Sequence, residues 1–312
     1  KTIGAGSISS GDNFVSAGSR FSFQKIPGVL KYKFNNINSL KKVIGKNKNN
    51  IYAIFIEPFS CSTLTETNEN FLKEAKKLCK KNKILMVYDE IYSGFGKCGY
   101  DFYFKKYGVT PDIITLSKSL GGGKSSISAY VTNKKVFNKS YGSLAGSLLH
   151  STTYNSLAEE CVTVIETTNL MNSNNLKKHL PKLELLIDKK LNFLKEKYPS
   201  IIAEVRGAGC HYGIIFTKKF SFLKKIIKLI PIRFIQDPLF LDKIVVASIM
   251  EEYYVKKNIL TSFTSNGDVI LNFSPPINCE IKTLKKKLND FEDIIENGVE
   301  KLVLKFIKKN LI

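Results

Sequence analysis

Residues 84–123 read ILMVYDEIYSGFGKCGYDFYFKKYGVTPDIITLSKSLGGG, and this stretch decides the fold. It contains two short, mainly apolar runs, ILMVY (84–88) and DIITL (112–116), which have the length and composition of buried strands. Asp89 follows the first run, and Lys118 stands shortly after the second. Ligands of open α/β sheets bind beyond the carboxyl ends of the strands. We therefore expect the carboxylate and the amine to face one bound ligand.

The first half of the chain repeats this pattern on both sides of the stretch. The apolar runs IYAIFIE (51–57) and SAYVT (128–132) are further strand candidates, and residues 68–82 carry apolar side chains at helical spacing. Alternation of strands with a helix is typical of an α/β domain with a mainly parallel sheet.

The second half predicts a smaller α+β arrangement. Its candidate elements are a long amphipathic helix at 176–198, two strands around a glycine turn at 203–216, a helix at 242–257, a strand at 269–273 and one terminal helix at 283–308. We expect two domains, a large one at 1–175 and a small C-terminal one at 176–312.

The composition is strongly basic, with 48 Lys and Arg against 27 Asp and Glu and a formal net charge of +21. Such a charge is typical of proteins that bind nucleic acid or anionic membranes. The lysines are nevertheless spread along the chain, and no nucleic-acid motif accompanies them. We expect a solvated basic surface and no specific nucleic-acid partner.

The cysteines indicate a reducing compartment and no metal site. They are scattered without metal-ligand spacing, at Cys61, Cys79, Cys98, Cys161, Cys210 and Cys279. Free thiols are typical of cytoplasmic proteins. No apolar run reaches the roughly 18 residues of a membrane span, so we expect a cytoplasmic protein without a transmembrane helix.

Lys118 stands beside a glycine-rich turn, and two interpretations are open at this point. A lone lysine before glycines is commonly an exposed residue that caps a loop. The alternative is a lysine that forms a Schiff base with a carbonyl-bearing cofactor. The usual companion of such a lysine is an acidic residue that pairs with a pyridinium nitrogen, and Asp89 has that chemistry.

A wider set of motifs resembles the class III aminotransferases of the ornithine, putrescine and 4-aminobutyrate type, which are fold-type I enzymes dependent on pyridoxal phosphate (PLP). In chain order the motifs are EP (57–58), YDEIYSGFGKCG (88–99), YGVTPDIITLSKSLGGG (107–123), HSTTY (150–154), YPSIIAEVRGAGCHYGIIF (198–216) and NFSPPI (272–277). Each is weak alone, but the ordered set is highly specific. The resemblance implies a three-layer PLP-dependent transferase domain with a mainly parallel sheet, plus a smaller α+β domain.

The resemblance also implies roles for individual residues. Lys118 forms the Schiff base and acts as acid and base in proton transfer, while Asp89 pairs with the pyridine nitrogen. Tyr92 stands where many members have a glutamine that contacts the cofactor's phenolic oxygen, and it either donates there or packs as an aromatic ring. Thr153 matches a threonine that binds the cofactor phosphate of the neighbouring subunit, which implies a homodimer with shared active sites. Two charged residues are expected to be structural, Glu90 and Arg206.

Two departures from the family pattern concern the substrate. Asn272 replaces an arginine that binds a substrate carboxylate, and Ser62 replaces the glutamate that neutralises this arginine. Loss of both leaves no unpaired charge in a partly buried pocket. We expect small-molecule amine and carbonyl substrates, but no bidentate clamp for 2-oxoglutarate or glutamate.

The first residues, KTIGAGSISSGD (1–12), resemble the family's sequence just after its aromatic-His-Gly motif. In the family, the loop that cradles the phosphate and the aromatic that stacks on the ring lie upstream of that motif. We therefore expect a longer natural protein whose N-terminal part is missing here, which makes activity of this stretch alone doubtful.

Residues 218–235, KKFSFLKKIIKLIPIRFI, form a basic amphipathic pattern that Pro231 interrupts. A helix of this kind can lie on an anionic membrane surface. It can also pack on the core or cover the mouth of the active site. We favour the core or lid over peripheral membrane contact.

The predicted function is PLP-dependent transfer of an amino group between an amine or amino acid and a carbonyl acceptor. One alternative is another fold-type I PLP reaction, such as that of an aminomutase. A second alternative is a non-catalytic basic binding protein on the same fold, against which the presence of both Asp89 and Lys118 argues.

Overall fold

The computed structural model of the chain describes residues 28–147, 149–150, 153–217, 237–265 and 267–310. These residues form two compact units. The first comprises residues 28–61 and Thr65–Lys177, and the second comprises Ser62–Leu64 and residues 178–310.

The first unit is built on a four-stranded sheet. Its strands, in sheet order, are β1 (Ala53–Ile56), β2 (Leu85–Asp89), β3 (Ile113–Leu116) and β4 (Ala129–Thr132). The first three run parallel, and β4 pairs antiparallel to β3. The predicted mainly parallel sheet is therefore confirmed, with all four predicted strands.

Two helices, α1 (Ile37–Lys46) and α2 (Glu69–Asn82), pack on one face of this sheet. The Asn68 side chain caps α2 by accepting a hydrogen bond of 2.7 Å from the Phe71 backbone nitrogen, an interaction worth about 1 kcal/mol. Lys83, in the left-handed conformation, ends the helix. The buried core between helices and sheet includes Leu40, Ile44, Ile54, Ile56, Leu72, Ala75, Met86 and Tyr88.

The opposite face of the sheet carries the polar residues of the strand ends. Side chains alternate between the two faces of a strand, so Asp89 projects from the face opposite to Met86 and Tyr88. In the strand register, Asp89 pairs with Thr115 of β3, and Thr115 pairs with Tyr130 of β4. These three side chains form a row across one face of the sheet.

Two further helices of the first unit, which the sequence did not reveal, are α3 (Lys134–Tyr141) and α4 (Ala158–Asn172). The turn after β3 packs against α4, and the Ser125 hydroxyl donates a hydrogen bond of 3.2 Å to the Thr163 hydroxyl. Helix α4 therefore supports the segment that follows Lys118.

The second unit has the predicted α+β composition. Its elements are α5 (Asn174–Lys197), which begins in the first unit, β5 (Ile202–Ala208), β6 (His211–Phe216), α6 (Phe240–Lys257), β7 (Ser262–Thr264), β8 (Ile270–Phe273), α7 (Ile281–Glu296) and α8 (Val299–Asn310). The strands form an antiparallel sheet of order β5-β6-β8-β7.

The prediction of one terminal helix at 283–308 is wrong, because α7 and α8 are separate helices. Gly298 lies between them with φ of +94°, a left-handed conformation that glycine adopts without steric cost. Pro181 lies inside α5, and the helix continues through it.

Two predicted segments, 1–12 and 218–235, lie outside the described residues. Among the residues that are described, no helix has the combined length and apolar character of a membrane span. The same residues contain no group of three or more His, Cys, Asp or Glu side chains arranged to hold a metal ion.

Candidate active site

Lys118 lies just beyond the end of β3 and begins a one-turn 3-10 helix, Lys118–Gly121. Its φ is +48°, in the left-handed region that costs a non-glycine residue on the order of 1 kcal/mol. The hydroxyl of the preceding residue, Ser117, donates a hydrogen bond of 3.0 Å to the Ile127 carbonyl and holds the entry to this turn. Backbone strain of this kind clusters at functional sites.

Asp89 ends β2, and its residue is 5% exposed. Its Oδ1 accepts a hydrogen bond of 3.0 Å from the Ile91 backbone nitrogen. Because β2 and β3 are adjacent and parallel, Asp89 and Lys118 lie at the carboxyl ends of neighbouring strands. This is the edge of an α/β sheet at which ligands bind.

Tyr92 lies in the turn that follows β2, and its ring faces the lysine. The Lys118 Nζ is 6.0 Å from the centre of the Tyr92 ring, at the outer limit of a cation–π contact. The contact places the ring beside the amine and is compatible with either predicted role of Tyr92.

Thr115 was predicted only as a residue of the strand at 112–116 and not as part of a site. Its Oγ1 is buried and has no hydrogen-bond partner, although Thr115 lies directly beside Asp89 in the sheet. A buried hydroxyl without a partner costs about 1–3 kcal/mol. Aligning the two predicted strands at their polar ends would have indicated that these two residues are neighbours.

The glycines after Lys118 permit a tight turn. Gly122 has φ of +62°, and a Cβ atom at this position would lie 2.8 Å from the Thr167 Oγ1 of α4. The next residue, Gly123, has φ of +77° but open space around it. At Gly122, therefore, both the backbone conformation and the close approach of α4 require glycine.

Glu90 is 1% exposed and anchors the chain that follows β2. Its carboxylate accepts hydrogen bonds from the Ser93 hydroxyl at 2.7 Å and from the Tyr103 and Phe104 backbone nitrogens at 2.8 Å each. Burial raises the pKa of Glu90, these hydrogen bonds lower it in part, and the adjacent Asp89 raises it further. The contacts join the end of β2 to the segment that returns towards β3.

Thr153 lies in an exposed turn of the first unit. Its side chain makes no hydrogen bond with any of the described residues, whereas the neighbouring His150 ring contacts the Tyr130 ring edge-on at 6.1 Å between centroids. Thr153 is exposed in the single chain.

Asn272 and Ser62 both belong to the second unit. The Asn272 Nδ2 donates a hydrogen bond of 3.1 Å to the Ser262 hydroxyl, while its Oδ1 is buried without a partner. Gly213 pairs with Asn272 in the sheet, and a Cβ atom on it would lie 2.8 Å from a methyl group of Leu64. The Ser62–Leu64 segment thus packs on the face of the sheet that carries Asn272.

The first unit holds the other predicted site residues, Lys118, Asp89, Tyr92 and Thr153.

Arg206 is tied into the second unit by ion pairs. Its guanidinium donates to the Glu204 carboxylate at 2.7 and 2.8 Å and to Asp268 at 3.2 Å. A further hydrogen bond of 3.4 Å reaches the Thr63 carbonyl. These contacts agree with the predicted structural role.

A sequence profile described as aminotransferase class-III matches residues 13–232. The chain belongs to the class III aminotransferase family. The resemblance in the sequence motifs is thereby confirmed, and enzymes of this class depend on PLP in general.

Curated relatives of this class III chain are named aminotransferases. The acetylornithine/succinyldiaminopimelate aminotransferase of Buchnera aphidicola from Acyrthosiphon pisum is 30% identical over 197 residues, which cover 63% of this chain and 46% of that protein. The putrescine aminotransferase of Pectobacterium atrosepticum is 26% identical over 278 residues, or 87% of this chain and 53% of that protein. The chain spans about half the length of these relatives.

Solved structures show that the class III chain has the predicted fold. A transaminase from the marine bacterium Virgibacillus superposes with a TM-score of 0.72 at 18% identity, over 85% of this chain and 57% of that one. The acetylornithine aminotransferase of Elizabethkingia anophelis gives 0.68 at 23% identity, over 88% and 64%. The predicted PLP fold-type I architecture is confirmed.

Proposed function

We propose that the protein transfers amino groups between an amine or amino acid and a carbonyl acceptor with PLP as its cofactor, and that Lys118 is the cofactor-binding lysine. The observation that carries the proposal is the placement of a strained lysine and a buried carboxylate at the carboxyl ends of adjacent parallel strands. The class III family and its aminotransferase-named relatives support the same chemistry.

The residues at this sheet edge fit the chemical groups of PLP. A primary amine matches an aldehyde, a buried carboxylate matches a basic ring nitrogen, and an unpaired buried hydroxyl indicates a missing polar partner. Lys118, Asp89 and Tyr92 would hold the cofactor from the first unit. When bound, PLP supplies the aldehyde and the electron-withdrawing ring on which amino-group transfer depends.

Each of these residues has a task that follows from its chemistry. The Asp89 carboxylate would hold a proton on the ring nitrogen of the cofactor, because a buried negative charge favours a positive partner. The Lys118 amine would remove a proton from the substrate carbon and return one, since an amine can act as both base and acid. The Tyr92 ring restricts the positions that the amine can occupy.

The substrate proposal rests on Asn272 and Ser62. Both are uncharged, and the Asn272 amide is held by Ser262. Without an arginine, the second unit offers no bidentate partner for a substrate carboxylate at this position. We therefore propose an amine, amino aldehyde or ketone substrate, recognised without the usual glutamate clamp.

The proposal includes a cytoplasmic homodimer with shared active sites. Thr153 is exposed in the single chain, which suits a hydroxyl that binds the cofactor phosphate of a second subunit. All six cysteines are described and none forms a disulfide, in keeping with a reducing compartment. Sedimentation of the full-length protein, with and without PLP, tests the dimer.

The experiment that tests the function is a set of half-reactions with the PLP-loaded, full-length protein. Amine substrates from a panel should change the visible absorbance of the PLP-loaded protein. Each should be converted to the matching carbonyl product, which is released. Release of rearranged amines without carbonyl products would contradict amino-group transfer and favour an aminomutase. Absence of any PLP-dependent absorbance would contradict both reactions.

A further inference from the structure

We infer that Thr115 is a positioning residue of the cofactor site, whose hydroxyl donates a hydrogen bond to the Asp89 carboxylate and fixes it against the ring nitrogen of bound PLP. The inference rests on the proposed function, because it concerns the same site. It adds a residue that the sequence motifs did not select.

The sheet register places the two side chains beside each other. Asp89 and Thr115 are direct partners across β2 and β3, so their side chains project from the same face. The Glu90 backbone nitrogen donates a hydrogen bond of 3.1 Å to the Thr115 carbonyl, which fixes the register at this point. Neighbouring strands are about 4.8 Å apart, a separation that a threonine hydroxyl and a carboxylate can bridge.

The Thr115 hydroxyl differs from two other hydroxyls of the first unit. The Thr132 hydroxyl donates to the Asp112 carbonyl at 2.8 Å, and the Ser117 hydroxyl donates to the Ile127 carbonyl at 3.0 Å. Thr115 Oγ1 is shielded from solvent yet has no partner. The Tyr88 hydroxyl also lacks a partner, but Tyr88 belongs to the apolar core on the other face of the sheet.

A purely structural role would select a different residue at this position. Valine has the shape of threonine and forms strands equally well, and it would remove an unpaired buried hydroxyl. Threonine is therefore explained by a partner that its hydroxyl gains when the site is loaded. The Asp89 carboxylate, across the sheet in direct register, is the acceptor that we assign to it.

The test compares Thr115→Val with Thr115→Ser and with the control Thr132→Val, all in the full-length protein. Titration with pyridoxal 5′-phosphate, followed by absorbance, gives the dissociation constant and the pH dependence of the visible band. We expect Thr115→Val to raise the dissociation constant about tenfold, equivalent to about 1.4 kcal/mol, and to shift the pH dependence of the band. Thr115→Ser keeps the hydroxyl, so its dissociation constant should stay within about twofold of that of the unaltered protein and the pH dependence of its band should be unshifted, as expected for one retained hydrogen bond.

The Thr132→Val control shows the effect of removing a threonine hydroxyl from the sheet without altering the proposed cofactor site. Thr132→Val removes a hydroxyl from the same sheet face, so it should lower the melting temperature without changing PLP affinity. Thr115→Val should leave the melting temperature of the cofactor-free protein unchanged or higher. Unchanged PLP affinity in Thr115→Val would overturn the inference alone, whereas failure of the unaltered protein to bind PLP would overturn the proposed function with it.

Discussion

The ammonium nitrogen of Lys118 lies 6.0 Å from the centre of the Tyr92 ring. The lysine reaches this position from a left-handed backbone conformation at the end of β3, and the ring reaches it from the turn after β2. Two neighbouring strand ends thus direct an amine and an aromatic ring to one place.

This relationship predicts that the ring of Tyr92 matters more than its hydroxyl. Tyr92→Leu should raise the PLP dissociation constant about two- to fivefold, because the ring no longer restricts the positions of the Lys118 amine before it bonds to the cofactor. Tyr92→Phe keeps the ring and should change the constant less than about twofold. Equal effects of both substitutions in an absorbance titration would instead assign the role to the hydroxyl.

Substitution of Gly122 should be more damaging than substitution of its neighbour. Gly123→Ala measures the cost of a positive φ alone, about 1 kcal/mol, because no atom lies within 4 Å of the added Cβ. Gly122→Ala adds the clash with Thr167 and should cost about 2–4 kcal/mol in total. Urea denaturation of the two variants checks this, and equal losses would show that α4 does not constrain the turn.

Glu90 should give stability a distinctive pH dependence. Burial raises its pKa, so the folded state favours the protonated carboxyl. The contribution of Glu90 is then largest below the ordinary glutamate pKa of about 4.3 and declines as the pH rises through the folded pKa. Relative to Glu90→Gln, the free energy of unfolding should fall as the pH rises above about 4.3. Urea denaturation across this pH range measures the free energy of unfolding of both proteins. A difference between them that stayed constant or increased with pH would contradict this prediction.

The proposed recognition of substrate at the uncharged Asn272 and Ser62 predicts a gain of function. Asn272→Arg combined with Ser62→Glu restores a charge pair and should raise kcat/KM for glutamate about tenfold or more, as expected for hydrogen bonds to a charged group. Asn272→Leu removes the amide without adding charge and should not raise it. A folded double variant with unchanged glutamate turnover would argue against recognition at these two positions.

Much of the fold could be predicted because the strands of the first unit are short apolar runs with polar ends. The polar ends also led to the prediction of Asp89 and Lys118 as site residues, since strand ends determine where ligands bind in α/β sheets. The break at Gly298 was not predicted, because the apolar spacing continues through 283–308 and masks a single left-handed residue.

Thr115 was missed for a different reason. Its proposed role depends on the partner that it meets across the sheet, and one strand read alone does not give the register. The two helices α3 and α4 were missed because helix α3 is short and most of the apolar side chains of α4 are exposed, so neither shows a clear buried stripe.

The central claim, that Lys118 is the lysine that binds PLP, can be measured directly. Borohydride reduction of the PLP-loaded, full-length protein, followed by peptide mass spectrometry, identifies the lysine bonded to the cofactor. The account predicts a phosphopyridoxyl label on Lys118, and in Lys118→Arg both that label and the visible absorbance band should be lost. A label on another lysine, or a band that survives in Lys118→Arg, would contradict it.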